Sequence, residues 1–309
     1  MKLQQLRFAC EVARQNLNLS EAAKVLHTSQ PGISKQIRQL EQELGVELFI
    51  RRGKRLVAVT EPGAGILNIA NRILRDTANL KQVGEQFTQE ETGSLSIATT
   101  HTQARYALPP VIQRFTQRYP GVRLSLHQGS PMQIAQYVTS GESDICIATE
   151  AIELFHDLAM LPCYQWNRCV LTLPGHPLLK SKKVTLEEIA RYPIITYDFA
   201  FTGRSRINKA FAAKNLTPNV VLTAIDADVI KTYVELGLGV GVVAMMAYEP
   251  KRDLGLRAID ASHLFEASTT RIGIRRNSYL RGYVYDFIEM FAPHLTVNVV
   301  NEAMSAAPD

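Results

Sequence analysis

The chain has only four cysteines in 309 residues, Cys10, Cys146, Cys163 and Cys169. No two form a CxxC pair and none has a histidine at ligand spacing, which argues against a zinc site or a disulfide framework and leaves buried, reduced thiols as the expectation. Long apolar runs are missing too. The longest, residues 236–247, is broken by three glycines and falls short of the roughly 20 residues a membrane helix needs. The start, MKLQQLRFACEVARQ, has no apolar signal-like core, so a cytoplasmic protein is expected. Catalytic signatures are likewise absent: there is no GxxxxGK[ST], HExxH or GxSxG. GLGVG at 237–241 follows a helical pattern and precedes a strand, the reverse of a dinucleotide site. No catalytic residue, metal ligand or cofactor is assigned, and the chain is not expected to be an enzyme.

An excess of charge is almost absent as well, with 34 Lys and Arg against 29 Asp and Glu. Its distribution is uneven. Residues 1–60 hold ten of the cations and five of the acids, and the remainder holds 24 of each. The surplus is therefore entirely N-terminal, as expected for a small basic module that meets a polyanion, joined to a neutral module with another task. At 46% hydrophobic residues the chain has ample material for more than one folded domain.

What the basic part contains is a helix pair. Residues 19–43 read as two short helices around a tight turn, the first capped by Ser20 and the second opened by Ser29, with Pro31 tolerated in its first turn. Ile33, Ile37, Leu40 and Leu44 recur at helical spacing, while Gln30, Ser34, Lys35, Arg38 and Gln39 lie opposite, suited to phosphates and base edges. Strand-like residues 47–50 and 56–59 flank Arg51-Arg52-Gly53-Lys54-Arg55, a hairpin whose cations suit a DNA backbone. The candidate DNA contacts are Ser29, Gln30, Pro31, Ser34, Lys35, Arg38, Arg51, Arg52 and Lys54. From Pro62 to about Glu90 a long helix follows, with Ile66, Ile73, Leu80 and Phe87 seven residues apart. That period suits a dimerisation seam, although a single helix facing a core shows the same stripe.

From Gly93 strands and helices alternate in two sets, implying α/β lobes built on parallel sheets with a cleft at the strand ends. Threonines concentrate at those ends. Thr99, Thr100, Thr102 and Gln103 follow the first strand, Thr149 follows DICIA and Thr202 precedes a helix. Hydroxyls and free amides there suit a small anion. Each threonine alone is as readily a helix cap, and the single Trp166 as readily packs in a core.

The segments TSQPGISKQIRQLEQELGVELFIRRGKRL, ATTHTQARYALP, HQGSP, MLPCYQWNR, FTGRSR and DADVIKTYVELGLGVGV resemble the LysR-type transcriptional regulators, and among them the cysteine-regulon activators. The resemblance implies a winged helix-turn-helix domain over 1–60, a linker and dimerisation helix over 61–92, and an effector domain over 93–309. That last domain would have the type 2 periplasmic-binding-protein fold, with lobe I at about 93–162 plus 267–295 and lobe II at about 163–266. It also implies a homotetramer on promoter DNA, working with RNA polymerase at sulfur-assimilation genes. The implied effector is N-acetylserine or O-acetylserine, sulfate or thiosulfate, or adenosine phosphosulfate. The implied pocket is Thr100, Thr102, Gln103, Thr149, Trp166 and Thr202. A thiol redox regulator using Cys163 and Cys169 is the alternative. A solute-binding protein would share the cleft but have no use for the basic head.

Overall fold

A computed structural model describes residues 1–53, 55–86, 92–149, 158–198 and 204–306, and the chain divides into two units, Met1–Thr88 and Gln89–Asp309. In the first, helices α1 (Leu3–Arg14), α2 (Leu19–Val25) and α3 (Gln30–Leu44) precede a hairpin of β1 (Phe49–Arg52) and β2 (Arg55–Val59), and α4 (Glu61–Gln86) follows. The expected stripe on α3 is the core: Ile33, Ile37 and Leu40 are fully buried with Val12, Ala22, Leu48 and Phe49. Burying side chains of this size contributes about 2 kcal/mol each. Leu44 does not join them and is 36% exposed, because α3 ends one residue later at Gly45, whose φ of +71° suits glycine. Ser29 caps α3 as expected, its hydroxyl accepting the Gly32 N–H at 3.2 Å. The cap of α2 is Asn18 and not Ser20. The Asn18 side chain accepts from the amides of Ser20 and Glu21, which places Ser20 inside the helix.

The second unit holds two five-stranded sheets. The first is formed by β3 (Thr92–Thr99), β4 (Gly121–Gln128), β5 (Ile145–Ala148), β6 (Leu158–Trp166) and β12 (Ser268–Arg275), in the order β4-β3-β5-β12-β6. The second is formed by β7 (Arg168–Thr172), β8 (Ile194–Tyr197), β9 (Val220–Ala224), β10 (Val240–Ala244) and β11 (Arg257–Asp260), in the order β11-β7-β10-β8-β9. Around them lie α5 (Pro109–Arg118), α6 (Pro131–Ser140), α7 (Leu186–Ile189), α8 (Arg204–Ala212), α9 (Ala227–Glu235), α10 (Gly282–Phe291) and α11 (Val297–Ser305).

Both sheets are mixed, which corrects the all-parallel expectation. β3 pairs parallel with β4 and β5, and β8 with β9 and β10, but β12 runs antiparallel to β5 and β6, and β7 antiparallel to β10 and β11. The chain crosses between sheets twice, so each receives strands of returning direction. The first crossing is also later than expected from a lobe boundary near residue 163. β6 pairs with β12 as far as Trp166, and Asn167 alone links β6 to β7. Pro162 does not end β6, because that strand lies at the sheet edge and the register shifts at Thr270/Arg271, opposite the proline.

Candidate functional site

On the head, the face of α3 opposite its buried residues leaves Gln30, Pro31, Lys35 and Arg38 exposed and Ser34 half-buried. β1 alternates as a strand must: Phe49 is buried, Ile50 exposed, Arg51 half-buried and Arg52 exposed. Arg52 and Arg55 pair in register and both are open to solvent. Arg51 instead donates to Glu41 at 2.8 Å, so it turns toward the protein and not outward with the other cations of the turn. Lys54 lies outside the described residues. The seven-residue series on α4 divides. Ile66 and Ile73 pack on the head's own core beside buried Leu67 and Ala70, whereas Leu80 is 74% exposed and Phe87 lies outside the described residues.

In the second unit the carboxyl ends of β3, β5 and β6 and the start of β12 share one sheet edge, which the register of the four strands dictates. Thr100 and Thr149 are buried at two of those ends, and Trp166, 8% exposed, at a third. Gln103 is 1% exposed. Its amide is held at both atoms, Nε2 donating to Thr270 Oγ1 at 3.1 Å and Oε1 accepting from the Tyr164 hydroxyl at 2.6 Å. The Thr102 hydroxyl interacts with the phenol of Tyr197, at the end of β8 in the other sheet. Burial pushes that phenol up to about 12, so it stays neutral. Thr202 lies outside the described residues.

Two features at this edge shape its chemistry. The indole Nε1 of Trp166 is buried and has no acceptor among the described residues. A buried donor left unmet costs about 1–3 kcal/mol, which a bound acceptor recovers. Beside it, Arg168 is 1% exposed, with its guanidinium 5.1 Å from the centre of the Trp166 ring and hydrogen bonds to Ser268 Oγ at 2.8 Å and the Glu266 carbonyl at 3.1 Å. A fixed cation stands where hydroxyls and amides alone were expected.

The turn that carries Thr102 and Gln103 also reaches the second sheet with its neighbouring side chains. Tyr106 donates to Asp228 Oδ1 at 2.5 Å, Arg105 lies 3.8 Å from Asp228 and 3.6 Å from Glu249, and His101 Nε2 lies 3.7 Å from Asp228. Lys231 completes the cluster, 3.2 Å from Asp228 and 3.0 Å from Asp253. Burial opposes ionisation of Asp228, but hydrogen bonds from Tyr106 and Lys231 outweigh it and hold the carboxyl below its ordinary range. At Lys231 burial is likewise outweighed, by bonds with Tyr106 and Asp253 that raise its pKa. Donor atoms of His101, Asp226 and Asp228 lie within 4.8 Å of one another. Lys231 and Arg105 already supply the positive charge there, so the group is an ion-pair cluster.

Residues 3–64 match the bacterial regulatory helix-turn-helix protein, lysR family, and residues 88–296 match the LysR substrate binding domain. The chain belongs to the LysR family of transcriptional regulators. The HTH-type transcriptional regulator SsuR of Burkholderia cenocepacia is 59% identical over 295 residues, covering 96% of each chain. CysB of the same species is 52% identical over 304 residues, covering 98% of this chain and 97% of its own. The cofactor-binding domain of the Cbl transcriptional regulator superposes with a TM-score of 0.68 at 44% identity, covering 71% of this chain and 96% of that one.

In this LysR regulator the helix-turn-helix head is the DNA-binding module and the two-sheet unit the effector module. No helix among its described residues is long and apolar enough to cross a membrane. Its thiols do not favour redox sensing. Burial pushes Cys163 and Cys169 up to about 12, so each carries little of the thiolate that such chemistry needs. Sequence reasoning missed Tyr164 and Thr270, which hold Gln103, Tyr197, which interacts with Thr102, and Ser268, which holds Arg168. Arg168 carried a signal, a cation two residues after the only tryptophan.

Proposed function

We propose that this LysR regulator governs sulfur-assimilation and cysteine-biosynthesis genes, and that its cleft takes a small oxyanion or acylated serine. The observation that carries the ligand class is the buried Nε1 of Trp166 beside Arg168, which has no acceptor among the described residues. An acceptor oxygen of an anion answers both, and Thr100, Thr102, Thr149 and, from the resemblance, Thr202 add hydroxyls. The sulfur-related role is supported by 59% identity to SsuR and 52% to CysB. The assembly proposed is a homotetramer that pairs through α4, including Leu80 and Phe87, and engages RNA polymerase at the promoter. The ligand signal passes through one turn: Thr102 and Gln103 serve the pocket, while His101, Arg105 and Tyr106 of the same turn reach Asp228. A ligand shifts this arrangement only if it binds one conformation better than another.

The experiment is titration of the full chain with sulfate, thiosulfate, N-acetylserine, O-acetylserine and adenosine phosphosulfate, following the fluorescence of Trp166, its only tryptophan. Binding to promoter DNA is measured alongside. A saturable change with at least one ligand is expected, and silence toward all of them overturns the effector class. Thr102→Ala is expected to weaken the responding ligand about tenfold, the loss of one charge-assisted hydrogen bond, and to spare effector-free DNA affinity.

A further inference from the structure

The wing holds a carboxylate that DNA recognition by cations does not explain. Glu41 is on the last turn of α3 and its side chain is only 9% exposed. Its Oε1 accepts the backbone N–H groups of Leu48 and Phe49, at 3.0 and 3.3 Å, which are the residues that lead into and open β1. Its Oε2 accepts from Arg51 Nη2 at 2.8 Å. One carboxylate therefore joins the recognition helix, the start of the hairpin and a cation two residues along that hairpin.

The burial pattern of β1 shows which cation is selected, although the pairing with β2 shifts register between Ile50 and Arg51. Side chains alternate across a strand, so the burial of Phe49 sends Arg51 to the inner side and Arg52 to the outer. Arg51 is 23% exposed at its side chain and engaged, whereas Arg52 and its register partner Arg55 are exposed. Removing either member of this part-buried pair leaves the other charge partly desolvated and unmatched, so the two act as one unit.

We propose that Glu41 and Arg51 are positioning residues for DNA binding: together they form a strut that fixes the wing relative to the recognition helix, and Arg51 makes no phosphate contact. The outward cations of the wing, Arg52 and Arg55 among the described residues, supply the attraction to the backbone. The strut lets the helix in its groove and the wing on the backbone engage as one rigid piece, which reduces the ordering cost of binding.

Salt dependence separates the two roles, because each phosphate contact contributes about one unit to the slope of log affinity against log salt. The full chain is bound to a duplex that the unaltered protein selects from a random-sequence pool, so no operator need be known beforehand. Arg52→Gln is expected to flatten the slope by roughly one unit for each wing engaged. Arg51→Gln and Glu41→Gln are each expected to leave the slope unchanged and to weaken binding by a constant factor of about ten at every salt concentration. The double variant is expected to lose no more than either single one. A slope flattened by Arg51→Gln as much as by Arg52→Gln overturns the proposal. Should Arg51→Gln fail to fold by circular dichroism, Glu41→Gln decides alone. Weaker binding at unchanged slope supports the strut, while tighter binding with a steeper slope means that a released Arg51 reaches phosphate and refutes it.

Discussion

The head and the effector module handle charge in opposite ways. The head carries all of the chain's formal surplus and leaves Lys35, Arg38, Arg52 and Arg55 in solvent, turning Arg51 inward against the buried Glu41. The effector module has as many acids as bases, yet buries Arg168 and an indole N–H with no acceptor among the described residues at a sheet edge. A polyanion is met by many exposed cations whose attraction salt screens. A small anion needs few partners, provided they are desolvated and fixed beforehand, where each interaction is strong. Net charge thus locates the first kind of site and is blind to the second.

The contrast is broken most forcefully at Arg168. Arg168→Ala removes the bonds to Ser268 and Glu266 and the contact with Trp166. It is expected to destabilise the effector module by about 3 kcal/mol, seen as a lowered calorimetric transition, and to leave the salt slope of DNA binding unaltered. A changed slope with normal melting would place Arg168 among the DNA contacts and erase the distinction.

Trp166→Phe sharpens it by separating binding from stability. A six-membered aromatic ring remains, while the unmet donor and the fused five-membered ring are lost. Relief of the donor offsets part of the lost packing, so the free protein is expected to melt within a few degrees of the unaltered one. Oxyanion affinity measured by calorimetry is expected to fall about tenfold, since hydrogen bonds to charged groups contribute roughly 1.5–3 kcal/mol. A variant that melts lower and binds equally well would make Nε1 irrelevant to the ligand.

The smallest effect is expected in pH. Asp228 has a depressed pKa, so it contributes stability above the ordinary carboxylate value of about 4 and loses that contribution as pH falls through its lower folded value. Lys231 is raised, so its contribution is complete below about pH 10.5 and is lost as pH rises through the folded value. Thermal melts of Asp228→Asn are expected to fall below those of the unaltered protein by a constant interval between about pH 5 and 9, an interval that closes toward acid. A gap that widened on acidification would reverse the assigned sign.

Much of this arrangement was legible in the sequence. The periodicity of Ile33, Ile37 and Leu40 and the cap at Ser29 define the recognition helix, and strand ends mark Thr100 and Thr149, because local spacing determines both. The inward turn of Arg51 was legible too, from Phe49 two residues earlier, but treating the hairpin cations as a group concealed it. Ile66 and Ile73 show the ambiguity of a single stripe, since packing on the head's own core needs the same spacing as a seam. The bond from Gln103 to Thr270 spans 167 residues, and the Arg168 bond to Ser268 spans 100. Such partners depend on cross-strand register, which no local pattern encodes.

The claim that the cleft takes a small anion through a preformed donor rests on one N–H, and the chain's single tryptophan makes that group observable alone. In a nitrogen-labelled sample of the full chain, the Trp166 indole resonance is predicted to move downfield in proton shift, saturably, on addition of sulfate or an acylated serine as Nε1 gains an acceptor. An indole resonance that stays fixed while the same ligand is shown by calorimetry to bind would contradict the account.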